Sequence, residues 1–123
     1  MGKVKKLAPR LRILFGEATA LGPGKVELIE AIERAGSISG AAKHMGMSYR
    51  RAWNLVDAIN HDFKEPIILT NVGGRGGGGA TISPIGHEIL SRYRKIEDQA
   101  MVSVAKEVSL FGRYLDEKFK TKS

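Results

Sequence analysis

Apolar and polar positions divide the chain into three short helical stretches, a strand-like interlude and one long helix. Leu11–Phe15 is an apolar run suited to a strand, closed off by Gly22-Pro23-Gly24. From Lys25 to Ala35 the spacing is helical. Val26, Leu28, Ile29 and Ile32 lie on one side, and Glu27, Glu30, Glu33 and Arg34 lie largely on the other. Gly36 ends this helix. Ser37 is placed to cap a second, short helix through Met45, which Gly46 breaks. Ser48 is placed to cap a third helix to Asn60, with Ala52, Leu55, Val56 and Ile59 as its apolar stripe. The period then changes. Ile67–Val72 reads as a strand, Gly73–Gly79 as a loop and Ala80–Ser83 as the returning strand. Ser83-Pro84 gives a cap followed by proline at the first helical position. Beyond it Ile85, Ile89, Tyr93, Ile96, Ala100, Val104, Val108, Phe111 and Leu115 recur at three- or four-residue steps. The pattern predicts a mainly α chain with a small β hairpin, organised as a single domain over 1–123. Its parts are a helix-turn-helix over 37–60, a hairpin over 66–83 and a long helix over 84–116.

Composition narrows the chemistry. A chain of 123 residues, 42% hydrophobic and 27% charged, can bury a core without a disulfide or metal staple. It has no cysteine, which excludes disulfides, thiolate metal sites and a thiol nucleophile, and fits a reducing cytoplasm. His44, His61 and His87 are scattered, so neither a metal nor a cofactor is expected. The uncharged apolar runs are too short to cross a membrane, and the basic Met1–Leu7 lacks the apolar stretch of a signal peptide. The 20 Lys and Arg outnumber the 13 Asp and Glu, for a net charge of +7. A surplus of that size favours a polyanionic partner, nucleic acid or an acidic membrane surface.

The charge is uneven. Met1–Gly16 holds Lys3, Lys5, Lys6, Arg10 and Arg12 and no acid. A second acid-free window between Glu33 and Asp57 holds Arg34, Lys43, Arg50 and Arg51. A third, from Pro66 to His87, has Arg75 as its only charge. Three such windows predict one positive face built from three segments, rather than charges placed wherever solvent is.

Ser37 to Asn60 meets the conditions of a helix-turn-helix together. Ala42 is small where the two helices touch, and Gly46 tolerates positive φ in the turn. Ile38, Ala41, Met45, Met47, Ala52 and Leu55 supply apolar anchors. An ordinary helical hairpin with no nucleic-acid role is the alternative. In a helix-turn-helix the amino-terminal part of the second helix enters the major groove. Arg50 and Asn54, one turn apart, are then the base-reading candidates, because Arg bridges guanine O6/N7 and Asn bridges adenine N6/N7. Ser48, Tyr49 and Arg51 are better placed for phosphates, and Ser37 at the preceding cap joins them. Trp53, beside Val56, is read as a packing residue, and Asp57 as lying too near the helix end for contact.

Gly74-x-Gly76-x-x-Gly79 matches the dinucleotide-binding fingerprint in letters only. That fingerprint opens directly into a helix, whereas a strand follows here and Pro84 starts the helix too late. No Gly-Lys-Ser/Thr follows for a P-loop. The loop is either an inconsequential hairpin tip or the wing of a winged helix. In a wing, Gly74 and Gly76 would let the backbone approach the sugar–phosphate chain and Arg75 would enter a narrow minor groove. Its place directly after the helix-turn-helix favours the wing.

Three stretches together, Gly36-Ser37-Ile38-Ser39-Gly40-Ala41-Ala42, Met47-Ser48-Tyr49-Arg50-Arg51-Ala52-Trp53 and Gly73–Ala80, resemble the amino-terminal domain of the ModE family. These are bacterial molybdate-responsive transcriptional regulators. The resemblance runs from Leu11 to Ile96. It implies a winged helix related to LysR-type DNA-binding domains, dimerisation through the helix from Pro84 to Leu115, and a palindromic operator in double-stranded DNA. It would put Ser48–Asn54 at the major groove and Gly74–Gly79 at the wing. Family members also carry carboxy-terminal molybdate-binding domains of a small β-barrel type. This sequence ends at Ser123 and has no Ser-Ala-Arg-Asn stretch of the kind those domains show, so the resemblance implies DNA binding without molybdate sensing.

The expected function is therefore a cytoplasmic, nucleoid-associated, dimeric and site-specific transcriptional regulator. The alternative is an architectural protein that uses the same face without sequence preference. An enzyme is not expected, since no acid–base dyad, metal cluster or activated nucleophile emerges. A homodimer is expected because a helix of about thirty residues with an apolar stripe is too long for a small body to cover.

Overall fold

The computed structural model describes residues 10–15, 19–71 and 78–119. The elements in order are β1 (Ile13–Phe15), β2 (Thr19–Leu21), α1 (Pro23–Ala35), α2 (Ile38–Met45), α3 (Tyr49–Asp62), β3 (Ile68–Thr70), β4 (Ala80–Ile82) and α4 (Pro84–Phe111). Two antiparallel pairs form, β1 with β2 and β3 with β4. Helices dominate, and the β3–β4 hairpin follows the helix-turn-helix directly, which is a winged helix.

Local sequence signals set most boundaries. Gly36 and Gly46 end α1 and α2 with φ of 75° and 70°, the left-handed region that glycine enters without steric cost. The Oγ atoms of Ser37, Ser48 and Ser83 accept the backbone N–H of Gly40, Arg51 and Gly86, capping α2, α3 and α4. Pro84 occupies the first turn of α4, as expected.

Three expectations are corrected. The first helix starts at Pro23 rather than Lys25, because Pro23 fills the position where a missing N–H is no loss. Thr19–Leu21 is a strand paired with Ile13–Phe15, in register Ile13↔Leu21, where no strand was expected. The last helix stops at Phe111 and continues as a 3-10 turn, Gly112–Tyr114, short of residue 116.

The core gathers the predicted stripe of α1 and most of that of α3, but from α4 it takes Leu90, outside the predicted stripe, with Tyr93, and leaves Ile96 exposed. Val26, Leu28, Ile29 and Ile32 of α1 pack with Ala41 and Ala42 of α2 and with Ala52, Val56 and Ile59 of α3. Ile67, Ile68, Ala80 and Ile82 add the wing, and Leu90 and Tyr93 add α4. Each fully buried Ile or Leu contributes about 1.5–3 kcal/mol.

Polar contacts fix the wing and α4 on this core. Asn60 near the end of α3 holds β3 by its backbone. Its Nδ2 donates to the Ile68 carbonyl at 3.0 Å, and its Oδ1 accepts the N–H groups of Ile67 and Ile68 at 2.8 and 3.0 Å. At the other strand, the Ala80 N–H donates to the Gly36 carbonyl at 2.9 Å. A Cβ on Gly79 would stand 3.3 Å from that same carbonyl, so the last glycine of the run keeps the hairpin close to the α1–α2 corner. Ser83 Oγ donates to the Pro66 carbonyl at 2.6 Å, and Gly86 lets α4 start directly on Ile67 and Ile82. Arg94 forks onto Glu30 of α1 at 2.8 and 3.3 Å and reaches Glu97 at 2.7 Å. Hydrogen bonding to Glu30, then to Glu97, raises its pKa further. The cluster is partly exposed and worth about 1 kcal/mol or less, and its Glu30 arm ties α4 to α1. Tyr93 donates its hydroxyl to the Leu11 carbonyl, and burial, then Glu97, keep its pKa above the ordinary phenol value.

Candidate nucleic-acid interface

The α2–α3 turn shows why these residues make a helix-turn-helix. The Gly46 N–H donates back to the Lys43 carbonyl and the Met47 N–H to the Ala42 carbonyl, which closes the corner. Ser48 then leaves the turn extended and caps α3. The buried stripe Ala52, Val56 and Ile59 pins one side of α3 and turns the opposite side to solvent. Arg50 and Asn54 stand on that opposite side, both exposed, one helical turn apart.

The structure brings Ser48, Arg50, Arg51 and Asn54 together around one shallow depression that Leu55 completes. Tyr49, half exposed, is not among its lining residues. No acidic residue lies between Glu33 and Asp57 in the sequence, so the corner and the first turns of α3 carry positive charge alone. The positive end of the helix dipole adds to this. Such a surface can accept phosphate oxygens at its edges while presenting a guanidinium and a carboxamide to base edges.

Ser37 is half-buried, and its Oγ is engaged with the Gly40 N–H at 2.9 Å, so its firmest role is the α2 cap. Gly74, Arg75 and Gly76 lie outside the described residues. The described base of the hairpin pairs Ile68↔Ile82, Leu69↔Thr81 and Thr70↔Ala80.

Trp53 corrects an expectation. It is 41% exposed rather than packed in the core. At about 100° per residue it lies at the margin of the Ala52–Val56–Ile59 stripe, so the i, i+3 step to Val56 does not bury it. It stands one turn from Tyr49, so two aromatics share an exposed flank of α3. The helical angle was the signal that could have shown this.

Among the described residues no His, Cys, Asp and Glu are grouped to hold a metal ion, and no helix is long and apolar enough to cross a membrane.

Comparison with known proteins bears on this geometry. The chain is 40% identical over 104 residues to the molybdenum-pterin-binding protein MopB of Rhodobacter capsulatus, a match covering 85% of this chain and 37% of that one. It is 43% identical over 79 residues to the molybdenum transport protein ModE of Azotobacter vinelandii, covering 64% and 29%. To the DNA-binding transcriptional dual regulator ModE of Escherichia coli K12 it is 34% identical over 71 residues, covering 58% and 27%. The chain thus spans roughly a third of the length of these relatives, from 27% to 37%. No family model matches. Among solved structures, the DNA-binding domain of CbnR in its DNA complex superimposes with a TM-score of 0.53 at 21% identity, covering 71% of this chain and 94% of that one. That likeness supports the winged-helix fold. Across its winged helix, this chain is a homologue of the ModE and Mop proteins.

Proposed function

We propose that this chain binds double-stranded DNA as a homodimer and regulates transcription from a palindromic operator. The observation that carries the reading is the exposed, acid-free start of α3, where Arg50 and Asn54 stand one turn apart above a serine-capped amino end. Ser48 and Arg51 take flanking phosphates, and Ser37, Tyr49 and the wing residues Gly74, Arg75 and Gly76 extend the contact. The solved DNA complex of similar fold and the DNA-binding regulator among the relatives support this assignment. The protein acts in the cytoplasm, and its role is binding rather than catalysis. Because relatives are described by molybdenum binding and transport, the controlled genes are proposed to serve molybdenum handling.

Dimerisation rests on α4. This helix has 28 residues and is about 42 Å long. Only Gly86, Leu90 and Tyr93 in it are buried. The same face continues as Ala100, Val104, Val108 and Phe111 beyond the body. Ile85, Ile89 and Ile96 line an apolar groove of about 600 Å³ with Ile13, Leu21 and Phe63. A second copy covers these surfaces and sets two α3 helices about 34–36 Å apart, or a multiple of that.

The test is Arg50→Ala on an operator recovered by selection. Affinity for that operator should fall by about 1–3 kcal/mol, with discrimination lost at one base position per half-site. An equal loss on every sequence would make Arg50 a phosphate contact and point to an architectural protein.

A further inference from the structure

We propose a DNA contact that extends beyond the helix-turn-helix: a cleft in which Arg12 joins Arg51 of α3 to grip a backbone phosphate beside the reading helix. The inference rests on the DNA-binding reading above. The cleft, of about 260 Å³, lies between the start of α1 and the α2–α3 corner. Among the described residues that line it, Arg12, Lys25 and Arg51 are cationic and none is acidic.

Arg12 runs across the amino end of α1, where a Cβ on Gly22 would stand 3.4 Å from its Cγ and 3.5 Å from its Nε. Those are ordinary contact distances, which place the Arg12 side chain directly against the start of α1. No acid occupies the first turn of α1, and its N-cap residue, Gly22, has no side chain to cap it. The nearest carboxylate along the helix, Glu27, is paired with Arg10 at 2.9 Å. Arg51 is shared: with Leu55 it lines both this cleft and the depression that holds Ser48, Arg50 and Asn54. Among the described lining residues, the positive surface therefore continues from the base-reading side chains to Arg12 without an intervening acid.

The cleft suits a phosphodiester better than a free anion. Arg12 and Arg51 are exposed, and exposed cations hold a lone ion weakly in water. A DNA backbone instead delivers its phosphate already positioned by the α3 contacts, and binding releases condensed counterions. The contact orients the protein without reading sequence.

Arg12→Ala tests this in the full chain on the selected operator between 50 and 200 mM salt, with Arg12→Lys alongside and thermal unfolding as a control. For Arg12→Ala the slope of log affinity against log salt should become shallower by about 0.9, the value of one phosphate. Affinity should drop several-fold, the ranking of operator variants should stay the same, and Arg12→Lys should retain most of the slope. Unchanged slope and affinity would overturn the inference and leave site-specific binding by α3 intact. A changed base ranking would also overturn it, by making Arg12 a base contact. So would inorganic phosphate raising the melting temperature of the unchanged protein but not of Arg12→Ala, with DNA binding equal in both. Failure of the unchanged protein to select any DNA would overturn both readings.

Discussion

Replacing Asn60 with alanine is expected to destabilise the protein by about 3–5 kcal/mol. Its carboxamide serves two N–H groups and one carbonyl of Ile67 and Ile68, whose side chains are fully buried in the core. Each backbone group stranded without a partner costs about 1–3 kcal/mol, reduced where water reaches the strand edge. A loss of this size is a large fraction of the stability of a small protein. Urea unfolding measures the loss, and hydrogen exchange locates it, with the Ile67 and Ile68 amides losing protection first. Because β3 carries the wing, DNA affinity should weaken even under conditions where the variant remains folded. A loss below about 1 kcal/mol with protected amides would mean that β4 alone positions the hairpin.

The second large effect is expected from the far half of α4. Changing Val104 and Val108 together to glutamate should convert a dimer to a monomer. Both residues lie past Tyr93, the last buried residue of the helix, so folding of the body should be spared. Four carboxylates brought together in a paired helix face would repel and lose apolar burial. Two half-sites bound by one linked dimer gain an effective concentration that a monomer lacks, so operator affinity should fall by about 10²–10⁴. Sedimentation equilibrium and operator titration read the two consequences. A monomeric unchanged protein at micromolar concentration would remove the dimer from the account. A variant that stays dimeric would move the interface to the groove around Ile85 and Ile89.

The helix-turn-helix was legible because its determinants are local. Ser37, Gly46 and Ser48 each satisfy a backbone requirement set by residues within a few positions, and the structure uses all three in those roles. The same holds for Ser83-Pro84 at the start of α4. Pro23 obeys the same rule as Pro84, but between two glycines it reads as a break rather than a beginning. Thr19–Leu21 has neither alternation nor length to mark it. It becomes a strand because Ile13–Phe15 folds back on it. Asn60 looks like a helix terminus in sequence. Its role depends on Ile67 and Ile68, seven and eight residues on, folding back against the end of α3, a reversal that neither the helical nor the strand period reveals.

The candidate site divides in the same way. Arg50, Arg51, Asn54 and Ser48 follow from helical geometry once the cap is known, and they do meet on one surface. Arg12 is visible in sequence only as one cation in a basic window. Its place beside Arg51 comes from the β1–β2 hairpin and the start of α1, the two elements whose boundaries sequence reading placed least well.

The central claim is site-specific recognition of duplex DNA, and selection from fragmented genomic DNA tests it most directly. Purified protein captures fragments at about 150 mM salt, where purely electrostatic binding is weak, and the captured DNA is sequenced. The account predicts a few enriched fragments that share an inverted repeat with half-sites about one helical turn apart or a multiple of that. Uniform recovery of the genome would contradict it and leave an architectural DNA-binding protein in its place.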